Sequence, residues 1–268
     1  MDKKVFGYPD FDSTGEKLLT TYDGPYRDML MDVRVYRLGV GESRSFKFPG
    51  EEMAILLLGG SATLSWEGQS QQVSRKDVFS DGPWALHVAA GVEVTVKAES
   101  ETEFLVQRTH NGGQFASRLY SPEDAPWVDV CRGKFGDVAN RHVNTIFAYN
   151  TAPYSNMVLG EVLNDRGNWS GFVPHHHPQP EVYYYKFDRP EGFGAAFVGE
   201  DVFKITDGSF SAIPGDLTHP QAAAPGYLMY TCWMIRHFDG NPWGARIDDE
   251  RYTWLNDATF NTQTTFKQ

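Results

Sequence analysis

Pro174-His175-His176-His177-Pro178-Gln179-Pro180-Glu181-Val182-Tyr183-Tyr184-Tyr185-Lys186-Phe187 joins a histidine triplet to a run of β-branched and aromatic residues that shows no helical period. Such a run reads as a strand, where side chains of equal parity share a face. His175, His177 and Glu181 have that parity, while His176 points away; Pro178 and Pro180 interrupt the ladder between them. Only eight histidines occur in 268 residues, so an unbroken internal triplet is neither a terminal tag nor background composition. A surface loop with incidental histidines is the plainer alternative. The nearby Glu181, and His219 at the end of Pro214-Gly215-Asp216-Leu217-Thr218, weigh against it. Three imidazoles and one carboxylate suit a divalent ion and leave it net positive charge, with open positions where coordination exceeds four.

Outward from this stretch the chain is a succession of short β-rich runs broken by Gly, Pro, Asp and Ser, which predicts an all-β protein. Met53–Leu58, ending at Gly59-Gly60, then Ala62–Trp66 and Val92–Val96 are the expected strands of a first half. Met157–Val162, Glu181–Phe187, Gly194–Val198, Phe210–Ile213 and Tyr227–Ile235 are those of a second. The expected division is a first domain over 1–115, a linker over 116–140 rich in Gly, Pro, Asp and Glu, and a second domain over 141–268. A weak echo between Asp81–His87 and Ile213–His219 fits a duplication, and the tail after Asp239 is expected to pack over one end of the second half or against a partner subunit.

Composition narrows the partners. At 41% hydrophobic and 14% aromatic the chain can bury a large core. A formal charge of −11 repels nucleic-acid phosphates and anionic lipid, so neither is an expected partner. An anionic substrate needs a local basic patch. No apolar stretch of about 18 residues occurs, which predicts neither a membrane span nor a signal peptide and places the protein in the cytoplasm. Cys131 and Cys232 are too few and too far apart for a disulfide framework or a thiolate metal site. His142 and His237 read as core or surface histidines, and His110 as exposed.

The HxH, Glu and later Gly208, Pro214 and His219 resemble the paired motifs of the cupin superfamily, and two such halves imply a bicupin of two tandem jelly-roll β-barrels. Asp216 stands where that pattern usually has glycine, and Gly171 lies closer to the triplet than the pattern's glycine. The resemblance narrows to the 5-deoxy-glucuronate isomerases of inositol catabolism, relatives of the 4-deoxy-5-ketouronate isomerases. It is carried by Leu57–Gly60, Val78–Pro83, Ala89–Val96, Arg132-Gly133, Arg141–Ile146, Gly167–Ser170, Pro174–His177, Glu181–Tyr185, Gly192–Gly194, His219-Pro220 and Pro225–Tyr227.

That resemblance implies His175, His177, Glu181 and His219 as ligands of a divalent metal, zinc first, with Mn, Fe, Ni or Co open. It implies a metal-free first barrel, where His87 stands alone. The reaction would be an aldose–ketose isomerisation of an open-chain deoxy sugar acid, with Glu181, Tyr183 or Tyr185 moving the proton. Arg132, Arg141 and Lys186 are the candidates for the substrate carboxylate. A cupin Fe or Ni dioxygenase and a non-catalytic metal- or sugar-binding cupin remain alternatives. Exposed β edges and the aromatic tail make a homo-oligomer the expected assembly.

Overall fold

The computed structural model describes residues 4–257, and among them the regular structure is β-strand with three short 3-10 segments. Two large antiparallel sheets carry the molecule. The first half contributes strands Glu16–Thr20, Asp32–Leu38, Glu51–Trp66, Ala85–Val88 and Thr102–His110. The second contributes Arg141–Phe147, Met157–Asn164, Glu181–Phe187, Phe210–Ile213 and Met229–Arg236. Within each sheet the third strand of the five lies between the fourth and the fifth, and the second and then the first follow beyond the fifth. Strand order thus repeats, but the sequence echo does not map onto it: His87 lies within the fourth strand of its sheet, whereas Ile213–His219 leads out of the fourth strand of the other.

Both faces of these central strands are apolar, as expected for strands buried on two sides. Tyr183, Tyr185 and Phe187 face the core of the second half with Ile213, Trp233 and Ile235. Val182 and Tyr184 face the other way, into a shared core with Ala54, Leu56, Leu105 and Cys232 that packs the two sheets together. In the first half, Met53, Ile55 and Leu57 line a separate core with Leu86 and Phe104. Side-chain facing thus matches Glu181 of the second half with Met53 of the first, which cannot ligate a hard divalent ion. His87 lies between the sheets, its Nε2 2.8 Å from the Glu52 carboxylate and its ring stacked on Phe147.

Several boundaries differ from the sequence expectation. Glu51–Trp66 runs on through Gly59-Gly60, with a bulge between Leu57 and Gly59. Gly60 has φ +100, and a Cβ there would sit 2.3 Å from the Glu101 carbonyl oxygen. Glycine here bends one strand between partners instead of ending it. The 116–140 stretch is not a bare linker: Arg118–Tyr120 pairs with Ala85–Val88, and Val128–Val130 pairs with Arg141–Phe147. Phe6–Gly7, placed by sequence in the first domain, pairs with Phe210–Ser211 of the second half. Phe6 stacks on Phe203, and the Tyr8 hydroxyl donates to the Lys204 carbonyl.

A smaller sheet, in the order Trp169–Ser170, Gln221–Ala223, Phe193–Val198 and Asp201–Thr206, completes the second half. The tail covers one end of that half, as its composition suggested: Ile247–Asp248 forms a two-stranded ladder with His175–His176. Of the tail, residues 258–268 lie outside the described residues.

Candidate metal centre

Three separate backbone segments bring the four predicted ligands to one wall. His175 lies in its two-residue strand, His177 in the turn that follows, and Glu181 begins the strand Glu181–Phe187. His219 follows the turn after Phe210–Ile213. That turn is fixed by the Asp216 N–H, which donates to the His177 carbonyl at 2.8 Å. Asp216 has φ +66, the left-handed region that Asp tolerates better than most residues, so it can stand where the cupin pattern has glycine.

Ligand atoms of His177, Glu181 and His219 lie within 4.8 Å of one another, and all three residues are buried. Glu181 Oε2 is 3.2 Å from both His177 Nε2 and His219 Nε2. His175 stands slightly outside this trio, its ring edge-on to His219 with centroids 4.9 Å apart. Each Nδ1 lies against a backbone carbonyl two residues away: His175 to Val173 at 2.8 Å, His177 to Gln179 at 2.9 Å and His219 to Leu217 at 2.9 Å. These carbonyls assign the ring hydrogen to Nδ1 and leave the Nε2 of neutral His175 and His219 with a lone pair, while His177 Nε2 shares a 3.2 Å hydrogen bond with Glu181 Oε2. His219 Nε2 is buried and has no hydrogen-bond partner, although a carboxylate oxygen is 3.2 Å away. Acceptors facing acceptors at this distance repel unless a cation or a shared proton lies between them.

Burial pulls His175 and His219 down to about 4, so both are neutral and ligand-competent at pH 7. Burial acts against charge on His177 too, but the hydrogen bond and negative charge of Glu181 outweigh it and hold His177 above the ordinary imidazole value. The donor set, the fixed tautomers and the orphaned nitrogen all fit a divalent ion held by nitrogen and oxygen.

The centre opens into a cavity of about 510 Å³. Trp233, Ile235, Val143 and Val162 give it apolar walls, and Arg141, Tyr183, Gln221 and Arg246 bring polar groups to it. Tyr183 faces Glu181; burial and that carboxylate push its phenol well above the usual range, so it keeps its proton. Ser170 Oγ and Gln221 Oε1 are buried without partners, ready for a polar ligand.

Of the residues proposed from sequence for the substrate, Arg141 lines this cavity and two others do not. Arg132 is half-exposed on the surface and bridges Asp129 and Asp165. Lys186 has the opposite parity to Glu181 and pairs with Glu103 of the first half. Tyr185 is also off the wall: it is fully buried, and its hydroxyl shares a 2.7 Å hydrogen bond with Ser211. His142 is a surface residue beside Asp129 and Asp165, as expected. His237 accepts the Trp243 N–H at 2.9 Å and so anchors the tail. Sequence reasoning missed Arg246, Trp243 and Gln221. Gln221 carried a local signal, standing two residues after His219 at the start of the strand Gln221–Ala223.

Fold and centre together define a β-protein of the cupin class. An oxalate decarboxylase from Lactobacillus farciminis superposes with a TM-score of 0.67 at 12% identity, over 97% of this chain and 92% of that one. A model of the KduI/IolB family matches residues 9–255, and the chain belongs to that family. An IolB-like protein from Salmonella typhimurium LT2 superposes with a TM-score of 0.84 at 18% identity, covering 94% of this chain and 99% of that one. Among named relatives, the 5-deoxy-glucuronate isomerase of Geobacillus kaustophilus HTA426 is 29% identical over 73% of this chain and 75% of its own length. That of Geobacillus thermodenitrificans NG80-2 is 26% identical over 78% and 84%.

Proposed function

We propose that this protein is a metal-dependent aldose–ketose isomerase built on two tandem jelly-roll barrels. Its substrate is an open-chain deoxy sugar acid, 5-deoxy-D-glucuronate, which it converts to 5-dehydro-2-deoxy-D-gluconate in inositol catabolism. The observation that carries this reading is the gathering of His177, Glu181 and His219, whose ligand atoms lie within 4.8 Å of one another, with the His175 ring edge-on to His219 beside them. Family membership and the 5-deoxy-glucuronate isomerase relatives support the substrate. The site works in the cytoplasm of a homo-oligomeric enzyme.

His175, His177, Glu181 and His219 would hold a divalent ion, zinc first, which would supply Lewis-acid polarisation of substrate oxygen. The chain's own residues do the rest. The carbon next to the aldehyde loses its proton and the former aldehyde carbon receives one, while the proton of the neighbouring hydroxyl passes to the former aldehyde oxygen, so a base must sit beside both carbons. Glu181, at the cavity wall, is that base. Tyr183 keeps its phenolic proton and donates a hydrogen bond where oxygen charge develops. Tyr185 is a positioning residue: its bond to Ser211 fixes the strand that carries the other two. Trp233, Ile235 and Val162 keep water from the exposed intermediate.

Incubation of the metal-loaded protein with 5-deoxyglucuronate, followed by NMR, is expected to show loss of the aldehyde signal and growth of a ketone without oxygen uptake. Tyr183→Phe is expected to lower kcat by about 10²–10³-fold, the range for removing one hydrogen-bond donor from a developing oxyanion. An unchanged aldehyde spectrum with fully loaded wild-type protein would rule this substrate out.

A further inference from the structure

An anion has to enter this cavity in a chain whose formal charge is −11, so the cations on the wall decide what is admitted. Two guanidiniums stand there: Arg141 at the start of the strand Arg141–Phe147, and Arg246 on the tail segment that crosses the rim. Among the described lining residues Glu181 is the one carboxylate, and it faces the imidazoles. Away from the metal ligands the wall therefore carries surplus positive charge.

The two arginines are built differently. Arg141 is buried, with Nη1 donating to Cys131 Sγ at 3.2 Å and the Ala139 carbonyl at 2.9 Å, and Nη2 to the Phe172 carbonyl at 3.1 Å. Three of its five donors are used, and its head cannot swing. Burial is the main influence lowering its pKa, and the positive charge of Arg246 adds to it. Arg246 is half-exposed, its Nε 3.1 Å from Asp248, and among the described residues nothing bonds its terminal nitrogens. Like charges turned towards one cavity repel, and an anion between them offsets both.

Arg246 is not on a loose end. Ile247 and Asp248 pair with His176 and His175, and the Asp249 N–H donates to the Pro174 carbonyl at 3.0 Å. Upstream, Gln179 Nε2 donates to the Asn241 carbonyl at 2.8 Å. The segment is thereby held in register with the metal ligands on both sides of Arg246.

We propose that Arg246, with Arg141 fixed behind it, clamps the carboxylate of the sugar acid, and that the 241–248 segment is the specificity element that selects an acid over a neutral sugar. The identity of the sugar rests on the isomerase reading; the preference for an anion does not.

Gluconate and glucitol share an open chain and differ in the carboxylate, so calorimetry of each against the metal-loaded protein isolates the clamp. Wild type is expected to bind gluconate at least about tenfold more tightly than glucitol, which corresponds to about 1.4 kcal/mol. Arg246→Met is expected to erase that preference with metal content and melting temperature unchanged, and Arg246→Lys to restore part of it. With 5-deoxyglucuronate, Arg246→Met is expected to raise KM far more than it lowers kcat. The clamp is overturned if Arg246→Met keeps the wild-type preference, if it weakens both ligands equally, or if wild type shows no preference. Loss of the preference in a protein that leaves 5-deoxyglucuronate untouched upholds the clamp and removes the isomerase reading alone.

Discussion

At the scale of single residues, the metal-ready state of each imidazole is set by its own backbone. His175, His177 and His219 each donate Nδ1–H to a carbonyl two positions along the chain. Their tautomers are thus fixed by local geometry and need no long-range partner. His177→Ala is expected to lower metal affinity by more than about 100-fold, beyond the 10–100-fold cost of losing a supporting hydrogen bond to a ligand. The fold should survive, because the core behind the ligand is made by Tyr185, Val158 and Ile213. Elemental analysis of the purified variant against wild type reads the first effect and circular dichroism the second; undiminished metal would remove His177 from the set. Parity made Glu181 and Tyr183 legible as neighbours on one strand face, whereas His175 and His177 lie before that strand, in a two-residue strand and the turn after it. Parity also marked Lys186 as facing elsewhere, and the structure shows its partner to be Glu103.

At the scale of elements, the site depends on how closely two backbones approach. Gly171 has φ +63, and a Cβ there would lie 2.7 Å from the His219 carbonyl oxygen and 2.9 Å from Pro220 Cα. Backbone cannot yield as a side chain tip can. Gly171→Ala is therefore expected to push His219 off the centre, weakening metal binding by at least about tenfold and destabilising the protein by about 1–3 kcal/mol. Metal titration and thermal melting of the metal-free variant check the two parts; wild-type affinity would show that the approach is not needed. Sequence placed Gly171 near the triplet without showing what it touched. Arg246 was illegible for a related reason. Its position follows from the pairing of Ile247–Asp248 with His175–His176, a contact across some 70 residues that no periodicity in the tail announces. The end of a strand at Gly59-Gly60 was misread because a bulge and a turn draw on the same residue type.

At the scale of the molecule, the halves are joined by polar groups as well as by the shared core. Arg75 of the first half and Glu161 of the second are both fully buried, with Nη1–Oε1 at 2.7 Å and Nη2–Oε2 at 3.1 Å. Tyr230 and Asn144 also donate to that carboxylate, at 2.6 and 2.9 Å. Arg75→Met leaves a buried carboxylate without its cation, and it is expected to cost about 3–5 kcal/mol in denaturant unfolding. A variant as stable as wild type would mean that the tyrosine and amide suffice. Neither residue stood out in sequence, since an isolated Arg and Glu in strands read as surface charges until the second sheet covers them.

The strand Phe6–Gly7 has its partner at Phe210–Ser211, on the far side of the chain's two halves. During synthesis this edge leaves the ribosome long before its partner exists, so Phe6 and Tyr8 stay unsatisfied while the intervening sheets form. That edge of the second half is therefore completed by a segment some 200 residues earlier in the chain. Lengthening or tethering that leading segment is a handle on that edge that leaves every cavity residue untouched.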